Sequence, residues 1–279
     1  MIDITRYNSE AWDREVESGN VWTKPVSPEL IRKARAGQWE IFLTPAKPVP
    51  PDWFPKLEGL RVLCLASGGG QQGPILAAAG ARVTVFDNSR KQLEQDRCVA
   101  ERDHLDIQTV RGNMANLAAF SDSSFDLIVH PVSNTFVADI LPVWKEAYRV
   151  LSPEGTLISG FDNPLLHIFD YEEYEKGILK VAYSIPYSDI ESLPKDRLKK
   201  QLEAKEPLEF GHTLEDQIKG QIDAGFIITG FYEDNSAGKE LLDRYINTFM
   251  ATKAEKVDVD KGETWPNLGF IGSGQGSLK

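Results

Sequence analysis

The sequence is short of cysteine and histidine, has no basic excess and contains no long apolar run. Each shortage removes a class of function. Two cysteines, Cys64 in an apolar strand-like run and Cys98 in a helical one, show no spacing of a disulfide framework or zinc site. They suit a reducing, cytoplasmic setting. The four histidines, His104, His130, His167 and His212, form no HExxH-type pair, so no metal is expected. Forty-two acids against 31 bases leave a net charge of -11, which argues against a grip on nucleic acid or anionic membranes. The basic cluster Lys195, Arg197, Lys199 and Lys200 is interleaved with acids and reads as a solvated helix face. With no stretch of about 18 apolar residues, no membrane span is expected. The polar, acidic start of the chain does not read as a secretory signal.

What is present is ordinary for a globular protein: 41% apolar and 26% charged residues over 279 positions, enough for one generous α/β domain with additions. Residues 1–55 hold Trp12, Trp22, Trp39 and Trp53 and end in the proline-rich PAKPVPPDWFP. They read as a helical N-terminal cap on a stiff linker. From residue 56 to 161 a regular core is expected. Strands fall at Arg61–Leu65, 82–86, Ile107–Arg111, within 125–131 and at 156–161, with helices at 71–80, from Ser89 to Asp103, and at 138–151. Alternation of this kind predicts a three-layer αβα sheet of parallel βαβ units. Ligands of such sheets gather at the carboxyl ends of the strands, here after Leu65, Phe86, Arg111 and Val129. Residues 162–209 form an aromatic, charged insertion after the fifth strand. A helix near 213–224, a strand at 226–232 and an apolar segment at 245–251 complete the core (210–254), and 255–279 reads as a tail.

After the first strand comes Ala66-Ser67-Gly68-Gly69-Gly70-Gln71-Gln72-Gly73. Glycine lets the chain turn sharply and admits close approach, and the following helix start offers N–H groups to an anion. Asp87, at the end of the second strand, can accept from a ribose diol. Gly68-x-Gly70-x-x-Gly73 also matches the dinucleotide fingerprint, so a nicotinamide-dependent oxidoreductase stands as the rival reading at this point.

Further motifs separate the two. RGNM at 111–114 follows the third strand, FDLIVHP spans the fourth, and YRVLSPEGTLI makes a helix–turn–strand. With RVLCLASGGG and VTVFDNS before them, this series resembles the class I S-adenosylmethionine (SAM)-dependent methyltransferases over about 60–161. The resemblance implies a Rossmann-like fold with SAM as cofactor. It implies a binding strip of Ala66, Ser67, Gly68, Gly70 and Gln71, a ribose acid in Asp87 with Asn88 beside it, and adenine contacts at Asn113 and Met114. Three positions depart from the family. Cys64 stands where an acid is common, Ala66 where glycine is, and Asn113 where aspartate is; Gln71 or Gln72 is expected to help hold the methionine end.

Methyl transfer from a sulfonium is an in-line displacement that needs positioning above all. His130, at the carboxyl end of the fourth strand, is the candidate general base, or else a histidine packed against the cofactor. Tyr7, Trp12 and Trp22 from the cap and Tyr187 from the insertion are expected to form an aromatic lid over a small-molecule substrate, with Asn134 and His212 as polar contacts. A SAM-binding module without turnover is the third reading. The methyl acceptor and the oligomeric state are left open by the sequence.

Overall fold

The computed structural model describes residues 2–257. Helix α1 (Ile4–Ser18) begins under Asp3, whose carboxylate accepts the Arg6 N–H, and stops at Gly19 in the left-handed region. Helix α2 (Pro28–Arg35) is capped by Ser27, with proline at its first position. The core then alternates as expected: β1 (Arg61–Leu65), α3 (Gln72–Ala78), β2 (Arg82–Asp87), α4 (Arg90–Asp103), β3 (Ile107–Arg111), β4 (Phe125–His130), α5 (Leu141–Val150) and β5 (Leu151–Asp162). The insertion carries short elements only: α6 (Tyr171–Glu175), β6 (Tyr187–Ser188), α7 (Asp189–Ser192) and α8 (Lys195–Ala204), closing with β7 (Phe210–Gly211), which pairs with β6. A π-helical turn at Glu215–Lys219 leads into α9 (Gly220–Ala224), followed by β8 (Phe226–Asp234) and β9 (Phe249–Lys256).

Seven strands form one sheet in the order β3-β2-β1-β4-β5-β9-β8. The strands from β3 to β5 run parallel, whereas β9 is antiparallel to both β5 and β8. Strand order reverses between β1 and β4, so the loops leaving their carboxyl ends diverge and open a crevice. The side-chain period of two divides the core cleanly. Val62, Cys64, Val83, Val85, Leu127 and Val129 pack one face. Leu63, Leu65, Phe86, Ile128 and Leu157 pack the other, under Val143, Trp144, Ala147 and Val150 of α5.

Two expectations are corrected and a third is refined. The proline-rich run 45–55, expected as a stiff linker, lies inside a packed segment, 41–57. Ile41, Leu43, Val49, Trp53 and Leu57 are buried and cover the sheet where another α/β protein would lay a helix. The Trp53 ring sits 5.3 Å from that of Tyr232, over Gly230, where a Cβ would come within 2.7 Å of the indole. The Asp234 carboxylate accepts the N–H groups of Ala46 and Lys47 at 2.9 and 2.8 Å. Proline removes donors from this stretch, but it does not prevent side chains from packing. Secondly, the apolar segment near the C-terminus is a central strand reaching Lys256, so residues 255 and 256 belong to the sheet. The flexible tail expected beyond them lies outside the described residues. Thirdly, the helix expected at 213–224 opens with a wide π turn. There the Asp216 carbonyl accepts the Trp144 indole N–H at 2.9 Å instead of closing a regular ladder.

Truncating Trp53 to alanine should cost about 3–5 kcal/mol, as for other buried tryptophans. Urea denaturation checks this, and an unchanged midpoint would return 41–57 to the status of a linker.

Candidate functional site

The bend after β1 is held from beneath by two carboxylates. Asp87, at the end of β2, accepts the Gly68 N–H on Oδ2 at 2.9 Å and the Ser89 N–H on Oδ1 at 2.8 Å. Asp96, one turn into the buried face of α4 from Gln92, accepts the Gly69 N–H at 3.0 Å. Asp96 is wholly buried, and its other oxygen, Oδ1, has no partner. Burial pushes the Asp96 carboxyl up to about 8, against the pull of the Gly70 and Gly69 amides. Burial likewise lifts Asp87 to about 6, with the Ser89 and Gly68 amides opposing it.

Glycine is required here by the protein itself. A Cβ on Gly68 would meet the Gln92 Cβ at 2.7 Å and the Asp87 carboxylate at 3.0 Å. Gly69 adopts φ +115° with the Trp22 carbonyl and the Gln92 side chain pressed against it. Ala66 sits at φ 46°, a left-handed conformation that glycine would take without strain. With the Gly68 and Gly69 amides facing carboxylates, the loop does not present them to an anion. A pyrophosphate would meet the Asp87 carboxylate instead. The dinucleotide reading of the glycine spacing therefore does not fit the geometry.

Helix α1 lies across the crevice and is tied to both banks. Thr5, Ser9 and Asp13, spaced four apart on one face, reach the loop after β2. The Thr5 carbonyl accepts from Asn88, Ser9 Oγ donates to the Asn88 carbonyl, and Asp13 accepts from Ser89 Oγ and the Lys91 N–H. On the opposite bank Asn8 donates to the carbonyls of Phe136 and Leu208 and accepts the Leu208 N–H. Trp12 meets Phe136 edge-on at 5.0 Å. Below lies a cavity of about 650 Å³, within the size range of small-molecule sites.

Ala66, Ser67, Gly68, Gln71, Asp87, Asn88, Asn113, Met114 and Trp22 all line this cavity. The sequence signals from three separate strand ends, those of β1, β2 and β3, converge on it. Gly70 lies behind the wall, where its added Cβ would strike the Gln95 carbonyl. Gln71 and Gln72 are engaged elsewhere: their amides donate to carbonyls of Val21, Lys24 and Phe42, pinning the cap and the 41–57 stretch to the loop.

The remaining candidates are not brought to the cavity. His130 is fully buried on the α5 face of the sheet, edge-on to Trp144, with Nδ1 on the Leu65 carbonyl at 2.8 Å and Nε2 on the Asn134 amide at 2.7 Å. Desolvation keeps its pKa below the usual range, and neither nitrogen is free to take a substrate proton. Asn134 is spent between His130 and Gln217, in a buried polar chain that continues through Gln221 to Thr252. His212 bonds the carbonyls of Asn134 and Val137. Tyr187 donates to Asp189 and stacks on His167, while Tyr7 donates to the Glu206 carbonyl, fastening the insertion to α1. No residue of 162–209 lines the cavity.

Residues the sequence did not flag complete the wall: Thr5, Asn8, Gln92, Leu43 to Pro45, Pro131 to Ser133, Thr135 to Asp139, and Phe249. Gln92 carries a signal visible in hindsight. With Leu93, Asp96 and Val99 it makes the buried stripe of α4, where polar residues replace expected apolar ones. Among the described residues no cluster of three or more His, Cys, Asp or Glu side chains could hold a metal, and no helix is long and apolar enough to cross a membrane.

Comparison with known proteins gives a consistent answer. A methyltransferase-domain family profile matches residues 63–159. The chain is 62% identical to the uncharacterized methyltransferase YbaJ of Bacillus subtilis over 257 residues, covering 92% of this chain and all of that one. Its fold is similar to a SAM-dependent methyltransferase from Mesorhizobium loti (TM-score 0.58, 20% identity, 73% of this chain and 94% of that one). It is also similar to the 1,6-didemethyltoxoflavin-N1-methyltransferase of Burkholderia thailandensis (TM-score 0.54, 13% identity, 90% and 87%).

Two substitutions test the loop. Asp96→Asn keeps an acceptor for Gly69 but cannot ionise. Between about pH 4 and 8 the folded wild type holds a proton on Asp96 that the unfolded chain has released, so stability falls as pH rises through that window. The variant should show a flatter decline in Tm from pH 6 to 8. Ala66→Gly should relieve the left-handed alanine and stabilise by up to about 1 kcal/mol in urea titration, less the chain entropy glycine adds.

Proposed function

Because the chain belongs to the class I SAM-dependent methyltransferases, we propose that the cavity under α1 seats the cofactor against Asp87 and that a small molecule accepts the methyl group in its apolar end. The observation that carries this reading is the state of Asp87. Each of its oxygens takes one backbone N–H, which fixes the carboxylate rigidly, and each keeps a lone pair for a ribose hydroxyl. Asn88, Asn113 and Met114 would flank the base, although the Asn113 carbonyl oxygen already accepts the Ala115 N–H. The strip from Ala66 to Gly68 and Gln71 would lie along the methionine portion, where the buried Gln92 Oε1 has no partner. Three aspartates and no cationic side chain line the cavity among the described residues, which suits a cofactor of net positive charge.

The cofactor supplies an activated methyl carbon on a sulfonium. The chain's residues supply placement and shelter. Held reactants in near-attack geometry can lower a barrier by about 7–11 kcal/mol. Trp12, Phe136 and Phe249 would line the acceptor end and thin out the water there. His130 has no place in this scheme. The unpaired thiols of Cys64 and Cys98 support a reducing, cytoplasmic setting for the reaction.

Calorimetric titration tests the reading. S-adenosylhomocysteine should bind and NAD should not. Asp87→Ala should weaken S-adenosylhomocysteine at least tenfold in a protein of unchanged circular dichroism. Since the free Asp87 carboxyl titrates near 6, wild-type affinity should drop about tenfold per pH unit below that value, and the variant should lose this dependence. Undiminished affinity in the variant would overturn the assignment.

A further inference from the structure

The cavity's walls restrict the methyl acceptor beyond its size. We infer that the acceptor is an uncharged or cationic, largely apolar molecule whose reacting atom already bears a free lone pair: an amine, a ring nitrogen or a thioether. The inference rests on the reading of this cavity as the methyl-transfer site.

The first argument is charge. The lining holds Asp3, Asp87 and Asp139 and, among the described residues, no lysine, arginine or histidine. A carboxylate or phosphate on the acceptor would find no cationic side chain in a partly desolvated space, and would pass Asp3 and Asp139 at the mouth. A cationic or neutral molecule pays neither penalty.

The second argument is the lack of a base. No tyrosine, cysteine, lysine or histidine lines the cavity among the described residues. Asp3 and Asp139 are exposed at the mouth, each with one oxygen spent on a backbone N–H, of Arg6 and Leu141. An alcohol must shed a proton to react, and the carboxylates of Asp3 and Asp139 that could take it lie exposed to solvent at the mouth. A lone pair needs no such help. As it forms the new bond to the methyl carbon, the carbon–sulfur bond breaks and its electron pair returns to sulfur as a neutral thioether. The positive charge passes to the acceptor atom, and an amine that carries N–H then releases a proton to water at the mouth.

The third argument is what the walls do offer. Trp12 and Phe136 form an edge-on pair, and Trp22, Phe42 and Phe249 also line the cavity. Aromatic faces attract a cation, which the acceptor becomes during transfer. Thr135 supplies a neutral hydrogen-bonding group, a buried hydroxyl with no partner.

The test uses the full chain saturated with S-adenosylhomocysteine, whose own binding is confirmed first; failure there defeats the cofactor reading, not this one. A fragment collection sorted by charge, containing indole, tryptamine and indole-3-acetate as a matched series, is screened by ligand-observed NMR at pH 7.5. Fragments displaced from or bound to the loaded protein should be neutral or cationic, with carboxylates at least tenfold weaker than their uncharged analogues. Ala138→Lys, a change at the exposed rim, should recover carboxylate binding. Carboxylates that bind the wild type as well as their uncharged analogues, or a loaded protein that binds no fragment, would overturn the proposal.

Discussion

The site depends on two carboxylates, one buried and one half-buried, that grip successive amides of one turn. Asp87 takes Gly68 and Asp96 takes Gly69, so the backbone between β1 and α3 is fixed from below. Everything on the crevice side follows from that grip. It sets where the loop surface lies, it commits the glycines to make room for Asp87 and Gln92, and through Asp87 it places a carboxylate on the crevice wall. A turn of similar spacing that left its amides free would favour an anion. Here Asp87 and Asp96 take the Gly68 and Gly69 amides, so the same sequence pattern leaves neither of them free for an anion.

The departure at Cys64 gains a meaning in this light. The strand lacks the acid that its relatives often carry, yet Asp96 lies close enough to Cys64 to oppose its ionisation, and burial pushes that thiol far above its ordinary range. The carboxylate under the loop has been supplied by the neighbouring helix. Being fully buried, it is protonated over much of the neutral range, whereas Asp87 on the crevice side is ionised there. One acid is structural and the other is available.

Much of this was legible in the sequence, for definite reasons. The runs RVLCL, RVTVF and FDLIVH are short, β-branched and bounded by turn residues, and the helix from Ser89 carries its own cap, so the parallel core could be read directly. Asp87 was visible because it ends a strand at the crevice. His130 ends one as well, but residue parity sends its side chain to the face of Ile128 and Trp144, something position along a strand does not reveal. Asp96 was hidden because an acid in the run EQDR looks solvated until the helix face is known. The role of 41–57 was hidden because proline abolishes periodicity, the very signal by which a buried segment is recognised. Tyr7 and Tyr187 were expected in an aromatic lid over the substrate, but Tyr7 ties α1 to the insertion and Tyr187 bonds within the insertion, and neither lines the cavity.

The placement of 41–57 also bears on how the chain is made. Leu43 lies against Gly160, and Trp53 against Tyr232 and Gly230, so the covering for β5 and β8 is synthesised far ahead of the strands it covers. The central strand β9 comes last of all the described elements. While the ribosome is still working through the middle of the message, Ile41, Leu43 and Trp53 have no surface to bury against. Contacts this distant in sequence close slowly, and a nascent polypeptide with an exposed apolar ribbon is a natural client for chaperones.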